Sequence, residues 1–119
     1  MSNKFEIGTV IDIDDSVYLY SDGFKVYAGD EHGGPYSGFE CLPHNGARIV
    51  ITSYSTINAS GVRDVATVYF ARFIEGDSKE INGYLLEFTD MEGYYSYIPY
   101  DKMNVVGVRK KVTFWLDED

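Results

Sequence analysis

Two alternating segments joined by an Asp-Gly pair limit the fold of this 119-residue chain more than any other feature. Residues 17–28 read Val-Tyr-Leu-Tyr-Ser-Asp-Gly-Phe-Lys-Val-Tyr-Ala. Asp-Gly tolerates the positive φ of tight hairpin turns, and period-two alternation marks a half-buried strand. With Asp22-Gly23 as the loop, Ser21 opposes Phe24, Tyr20 opposes Lys25, Leu19 opposes Val26 and Tyr18 opposes Tyr27. Opposed residues share a face of the sheet. Val17, Leu19, Phe24, Val26 and Ala28 therefore make an apolar face for the core, and Tyr18, Tyr20, Lys25 and Tyr27 make the opposite one.

The same pattern recurs along the chain, where glycine-centred turns separate segments rich in Val, Ile, Tyr, Phe and Thr. Strands are expected at Phe5 to Asp12, Arg48 to Ser55 and Asn104 to Leu116. A second hairpin is expected around Glu92-Gly93, pairing Thr89 with Ser96, Phe88 with Tyr97 and Leu86 with Pro99. It sends Leu86, Phe88, Tyr95 and Tyr97 to the core and leaves Leu85, Glu87, Thr89, Ser96 and Ile98 half exposed, although a three-residue loop with a bulge would exchange the faces. Val62 to Glu75 supports two readings. Val62, Val65, Ala66, Tyr69, Phe70, Phe73 and Ile74 recur at helical spacing, with Ser60 as a possible N-cap and Gly76 as a stop. The run Val65-Ala66-Thr67-Val68-Tyr69-Phe70 is instead β-branched and aromatic, which favours a strand. The chain is expected to be a single all-β domain over residues 1–119, a small antiparallel barrel or a two-sheet sandwich. The alternative is α+β with one helix near residues 61–75.

Composition narrows the function classes. With 45% apolar residues and only three prolines the chain is of the folded, globular type. No segment approaches the roughly 20 apolar residues needed to span a bilayer, and the first residues lack a secretory apolar run. A lone cysteine, Cys41, is in keeping with a reducing compartment, and a cytoplasmic protein without a membrane partner is expected. Nineteen acidic residues against ten basic ones give a net charge of −9. That field opposes phosphate backbones, so nucleic acid is not the expected partner, and it favours proteins with a basic surface.

No catalytic, cofactor or phosphate-binding motif stands out, so neither enzyme chemistry nor a cofactor is expected. Residues 29–46 hold both histidines and the cysteine, and His32, Cys41 and His44 are acceptable zinc ligand types. Their spacing fits no zinc signature, and Phe39 and Leu42 around Cys41 suggest a buried structural thiol. Asp12, Asp14 and Asp15 lack the glycine and distal glutamate of a calcium loop, and Asp14-Asp15 before Ser16 reads as a turn.

Tyrosine remains, at 11 residues. Tyr18, Tyr20 and Tyr27 around Lys25 offer an amphipathic surface of the kind enriched at protein interfaces. They are the expected contact anchors for a partner protein, with Asp14, Asp15, Asp30 and Glu31 supplying electrostatic steering. A second sheet or a long loop covering this face is the structural alternative. The expected function is that of a non-enzymatic acidic binding protein, in the manner of small inhibitors, immunity proteins or phage anti-defence proteins. A β-barrel or homo-oligomer that sequesters a small ligand or nucleotide through tyrosines, Arg109 and Lys111 is the second reading.

Overall fold

Segments dense in Val, Ile, Thr, Tyr and Phe pair to give one sheet, and among the described residues no α-helix forms. The computed structural model describes residues 5–58, 65–76 and 84–109. Its strands are β1 (Thr9–Ile13), β2 (Tyr18–Ser21), β3 (Lys25–Gly29), β4 (Glu40–Leu42), β5 (Ala47–Asn58), β6 (Val65–Gly76), β7 (Leu85–Thr89) and β8 (Met103–Val108). They lie in the order β4-β2-β3-β7-β6-β5-β1-β8. All neighbours are antiparallel except β3 and β7, which run parallel.

The all-β expectation therefore holds, while the barrel and the two-sheet sandwich do not. Among the described residues the sheet stays open, with β4 at one edge and β8 at the other. The edges differ: β4 is three residues long, whereas β8 exposes Val105, Val106 and Val108. Residues 65–76 form β6, a strand antiparallel to β5, so the helix alternative fails there. Its helical spacing arose because apolar side chains occupy both faces of the strand: Tyr69, Ala71 and Phe73 point to the core while Val68 is buried and Phe70 half-buried on the other side.

One face of an open sheet must still be hidden from water, and the short connections show how. β1 and β2 are five positions apart in the sheet, as are β4 and β5. Five strand spacings span about 24 Å in a flat sheet. Residues 14–17 and 43–46 each allow only five Cα steps between strand ends, a reach of at most about 18 Å. The sheet has to curl. Bulges assist, with register shifts within the β1–β8 ladder and at Arg48/Ile49 and Ile51/Ser53 in β5. At the latter, Thr52 Oγ1 donates to the Phe70 carbonyl at 3.1 Å. Curling brings Ile11, Ile13, Leu19, Val26, Ala28, Leu42, Ile49, Ile51, Tyr69, Ala71, Phe73, Leu86, Phe88 and Ile98 into one apolar cluster. The two connections are also stitched together, because His44 Nε2 donates to the Val17 carbonyl at 2.6 Å and its Nδ1 accepts from Gly46 N at 2.9 Å.

The first hairpin keeps its faces but not its register. The ladder pairs Ser21 with Val26, Tyr20 with Tyr27, Leu19 with Ala28 and Tyr18 with Gly29. Asp22 and Lys25 close it through Asp22 N donating to the Lys25 carbonyl at 3.2 Å, so the loop is Gly23-Phe24. Asp22 sits before the loop because its Oδ1 accepts from both Phe24 N and Lys25 N at 2.8 Å. Gly23 takes the positive φ of +99° at the first loop position. Moving the loop by one residue moves the register by two, which preserves the face of every strand residue. Phe24 alone changes fate. It leaves the core and becomes the hairpin tip, 83% exposed.

The expected hairpin at Glu92-Gly93 does not form. β7 already has β6 on one side and β3 on the other, so no edge is open to a returning strand. Only beyond Tyr27, where β3 pairing ends, does Thr89 meet Tyr97, in a parallel bridge. Leu86 and Phe88 are core residues as expected, but the returning segment contributes Ile98 in place of Tyr95 and Tyr97. Tyr95 is 76% exposed.

Candidate functional site

The outer face of β2 and β3 is covered by the chain that follows them. Gly33 N donates to the Asp30 carbonyl at 3.1 Å, Tyr36 N to the Gly33 carbonyl at 2.7 Å and Phe39 N to the Tyr36 carbonyl at 2.8 Å. Gly33 has φ +84° and caps the 3-10 turn Gly34–Tyr36, with Pro35 as its second residue. In such tight turns residues three apart come to the same side, which directs both Tyr36 and Phe39 at the sheet.

A ring cluster results. Tyr36 stacks on Tyr20 with centroids 5.8 Å apart, on Tyr27 at 5.4 Å and on Phe39 at 5.4 Å, with interplanar angles of 23° to 29°. Phe39 also meets Tyr27 at 6.0 Å. The backbone leaves room for this at Gly29, where a Cβ would stand 2.9 Å from the Tyr20 ring and 3.0 Å from that of Tyr36. Burial pushes the Tyr36 phenol up to about 12, helped by Glu87, Tyr27 and Tyr95.

The expected anchors are placed unequally. Tyr18 is outward and 40% exposed, Tyr27 is half-buried, and Tyr20 is covered, 5% exposed, with its hydroxyl donating to the Asp30 carbonyl. Lys25 pairs with Glu87 of β7 at 3.1 Å, and its Nζ lies 5.8 Å from the Tyr27 ring centroid. The hydrogen bond that Lys25 donates to Glu87 holds the lysine above its usual range. Tyr27 Oη reaches Asp22 Oδ2 at 3.4 Å. Sequence reasoning missed Tyr36 and Phe39 as parts of this surface and misplaced Phe24. The Gly-Gly-Pro-Tyr-Ser-Gly-Phe run carried a signal for the first two, since turn residues set two aromatics three apart.

The acidic residues shape turns as well as the field. Asp14 Oδ1 accepts from Ser16 N at 2.7 Å, and Asp30 Oδ1 from His32 N at 3.0 Å. Bonds from Ser16 hold the Asp14 carboxyl below its usual range, and those from Lys25 N and Phe24 N do the same for Asp22. Asp15 and Glu31 are exposed beside them. Asp22 sits at one end of the hairpin and Asp30 and Glu31 follow β3 at the other, so the ring cluster has carboxylates at both ends.

The three zinc ligand types do not converge. Both ring nitrogens of His44 are engaged in the backbone stitch, His32 is exposed beside Glu31 at 3.4 Å, and no group of three or more metal-ligating side chains forms among the described residues. Cys41 is exposed at the edge strand β4, not buried. Asp12 is bound by Arg48 through two contacts of 2.7 and 3.1 Å, which lowers its carboxyl. A groove of about 320 Å³ beside it is lined by Asp12, Asp14, Tyr100, Asp101, Lys102 and Asn104, among others. Arg109 lies at the other end of β8, donating its N–H to the Gly8 carbonyl at 2.8 Å, and Lys111 lies outside the described residues.

Compared with family models, curated proteins and solved structures, the chain matches none of them. Among the described residues no helix is long and apolar enough to cross a membrane.

Proposed function

We propose that this is a non-enzymatic binding protein of the cytoplasm that docks its aromatic outer face onto a basic partner protein and thereby inhibits or neutralises it. One observation carries the reading: Tyr20, Tyr27, Tyr36 and Phe39 build an aromatic cluster on the sheet face opposite the core, and the hairpin that carries it leaves Phe24 83% exposed at its tip, with Tyr95 76% exposed on the loop after β7. Large exposed aromatics surrounded by polar groups are the usual composition of protein contact sites. Tyr18, Tyr27 and Phe39 extend the contact area. Tyr20 and Tyr36 support it from beneath, and Asp14, Asp15, Asp22, Asp30 and Glu31 steer the approach of a cationic surface.

Capture from host lysate by the wild type and by a Phe24→Ala/Tyr95→Ala double variant tests the proposal. Both side chains are outside the core, so the circular dichroism spectrum should be the same for the two proteins. The wild type is expected to retain a partner that the variant loses, with retention weakening as salt rises. Equal capture by the two would contradict it.

A further inference from the structure

The docking reading leaves open which side chain of a basic partner the aromatic face accepts, and the neighbourhood of Tyr27 bears on it. Lys25 and Glu87 form an ion pair beside the ring, with the lysine nitrogen 5.8 Å from the ring centroid. Asp22 Oδ2 lies at the phenol end. The ring therefore already carries a cation within this chain, with a carboxylate at hand. The pair is not deeply buried: the Lys25 and Glu87 side chains are 38% and 26% exposed.

Resting on that docking reading, we propose that this face accepts an arginine side chain of the partner, its guanidinium lying flat against the Tyr27 and Phe39 rings and bonding to Glu87 in competition with Lys25. Three features converge on this chemistry. Tyr27, Tyr36 and Phe39 lie at 23° to 42° to one another, and of the three Tyr27 and Phe39 keep part of their surface in solvent. A planar guanidinium stacks on such surfaces and still offers paired N–H groups to a carboxylate, whereas a compact, strongly hydrated ammonium does neither well. Asp22 and Glu87 give the surroundings a negative sign, so a phosphate or carboxylate ligand is repelled while a cation is drawn in.

Two fluorescein-labelled peptides of equal charge, one alternating arginine with serine and the other lysine with serine, serve as probes in anisotropy titrations. The wild type is expected to bind the arginine peptide about fivefold more tightly. Tyr27→Leu and Phe39→Leu should remove that ratio while the lysine peptide binds as before. Lys25→Met, a surface change that leaves the core intact, should increase the ratio by freeing Glu87 and the ring. Equal affinities for the two peptides on the wild type, or a ratio unmoved by Lys25→Met, would overturn the arginine assignment. Should the ratio be absent while Phe24→Ala/Tyr95→Ala still loses its captured partner, only the arginine assignment fails. A preserved ratio with unaffected capture would instead sink the docking reading.

Discussion

Tyr69 packs against Phe5, Phe88 and Tyr54 with centroids 5.2 to 6.2 Å apart, and Tyr36 packs against Tyr20, Tyr27 and Phe39 at similar separations. The two tyrosines belong to opposite faces of one sheet. Tyr69 is on the concave side with the apolar core, and its hydroxyl accepts from Phe5 N at 3.1 Å and donates to Asp90 Oδ2 at 3.3 Å. Tyr100 donates to the same carboxylate oxygen at 2.6 Å. Tyr36 comes from a loop, and its ring is held against β2 and β3 by stacking, over a glycine that leaves it space. The inner cluster is locked by the curl of the whole sheet. The outer one depends on a single local segment, residues 30–39, and the hairpin beneath it leaves Phe24 in water.

The difference implies a ranking of effects. Tyr69→Ala removes a fully buried ring shared by β5, β6 and β7 and should cost about 3–5 kcal/mol, read as a lowered midpoint in urea. Gly29→Ala should cost less, about 1–3 kcal/mol, because only the Tyr20 and Tyr36 rings must move to admit the methyl group. It should also weaken capture of the partner, which Tyr69→Ala in its folded fraction should not. A Gly29→Ala protein as stable as the wild type would mean that the loop is not seated on the sheet.

A smaller effect is expected at high pH. The Tyr36 phenol ionises near 10 in the unfolded chain and at about 12 in the folded one. A raised value means that folding favours the neutral phenol, so the contribution is whole below pH 10 and is lost as the pH climbs from 10 to 12. Stability measured over that range should fall less steeply in Tyr36→Phe than in the wild type. Parallel curves would place Tyr36 in water.

These regions also differ in how much the residues disclosed. Alternation from Val17 to Ala28 revealed which face is apolar, because a two-residue shift of register leaves every face unchanged. It did not reveal the loop, since Asp22 acts by accepting two backbone N–H bonds from before the turn, and the fate of Phe24 followed from that. Tyr95 and Tyr97 were assigned to the core by a local pairing that β3 forbids from elsewhere in the chain. Parallel pairing of β3 with β7 joins residues about sixty positions apart, and no turn chemistry announces it. His44 invited a metal reading because its ligand chemistry is visible in the sequence, while its two backbone partners are not.

Hydroxyl-radical footprinting of the protein alone and in complex with its captured partner tests the central claim most directly, because exposed tyrosines occur in both regions. Tyr54 and Tyr100 border the Tyr69 cluster, whereas Tyr18 and Phe24 belong to the hairpin that carries the other and Tyr95 is exposed on the loop after β7. The expected result is protection of Phe24, Tyr95 and Tyr18 in the complex with Tyr54 and Tyr100 unchanged. Protection confined to Tyr54 and Tyr100 would contradict the assignment of the docking surface to the outer face of β2 and β3.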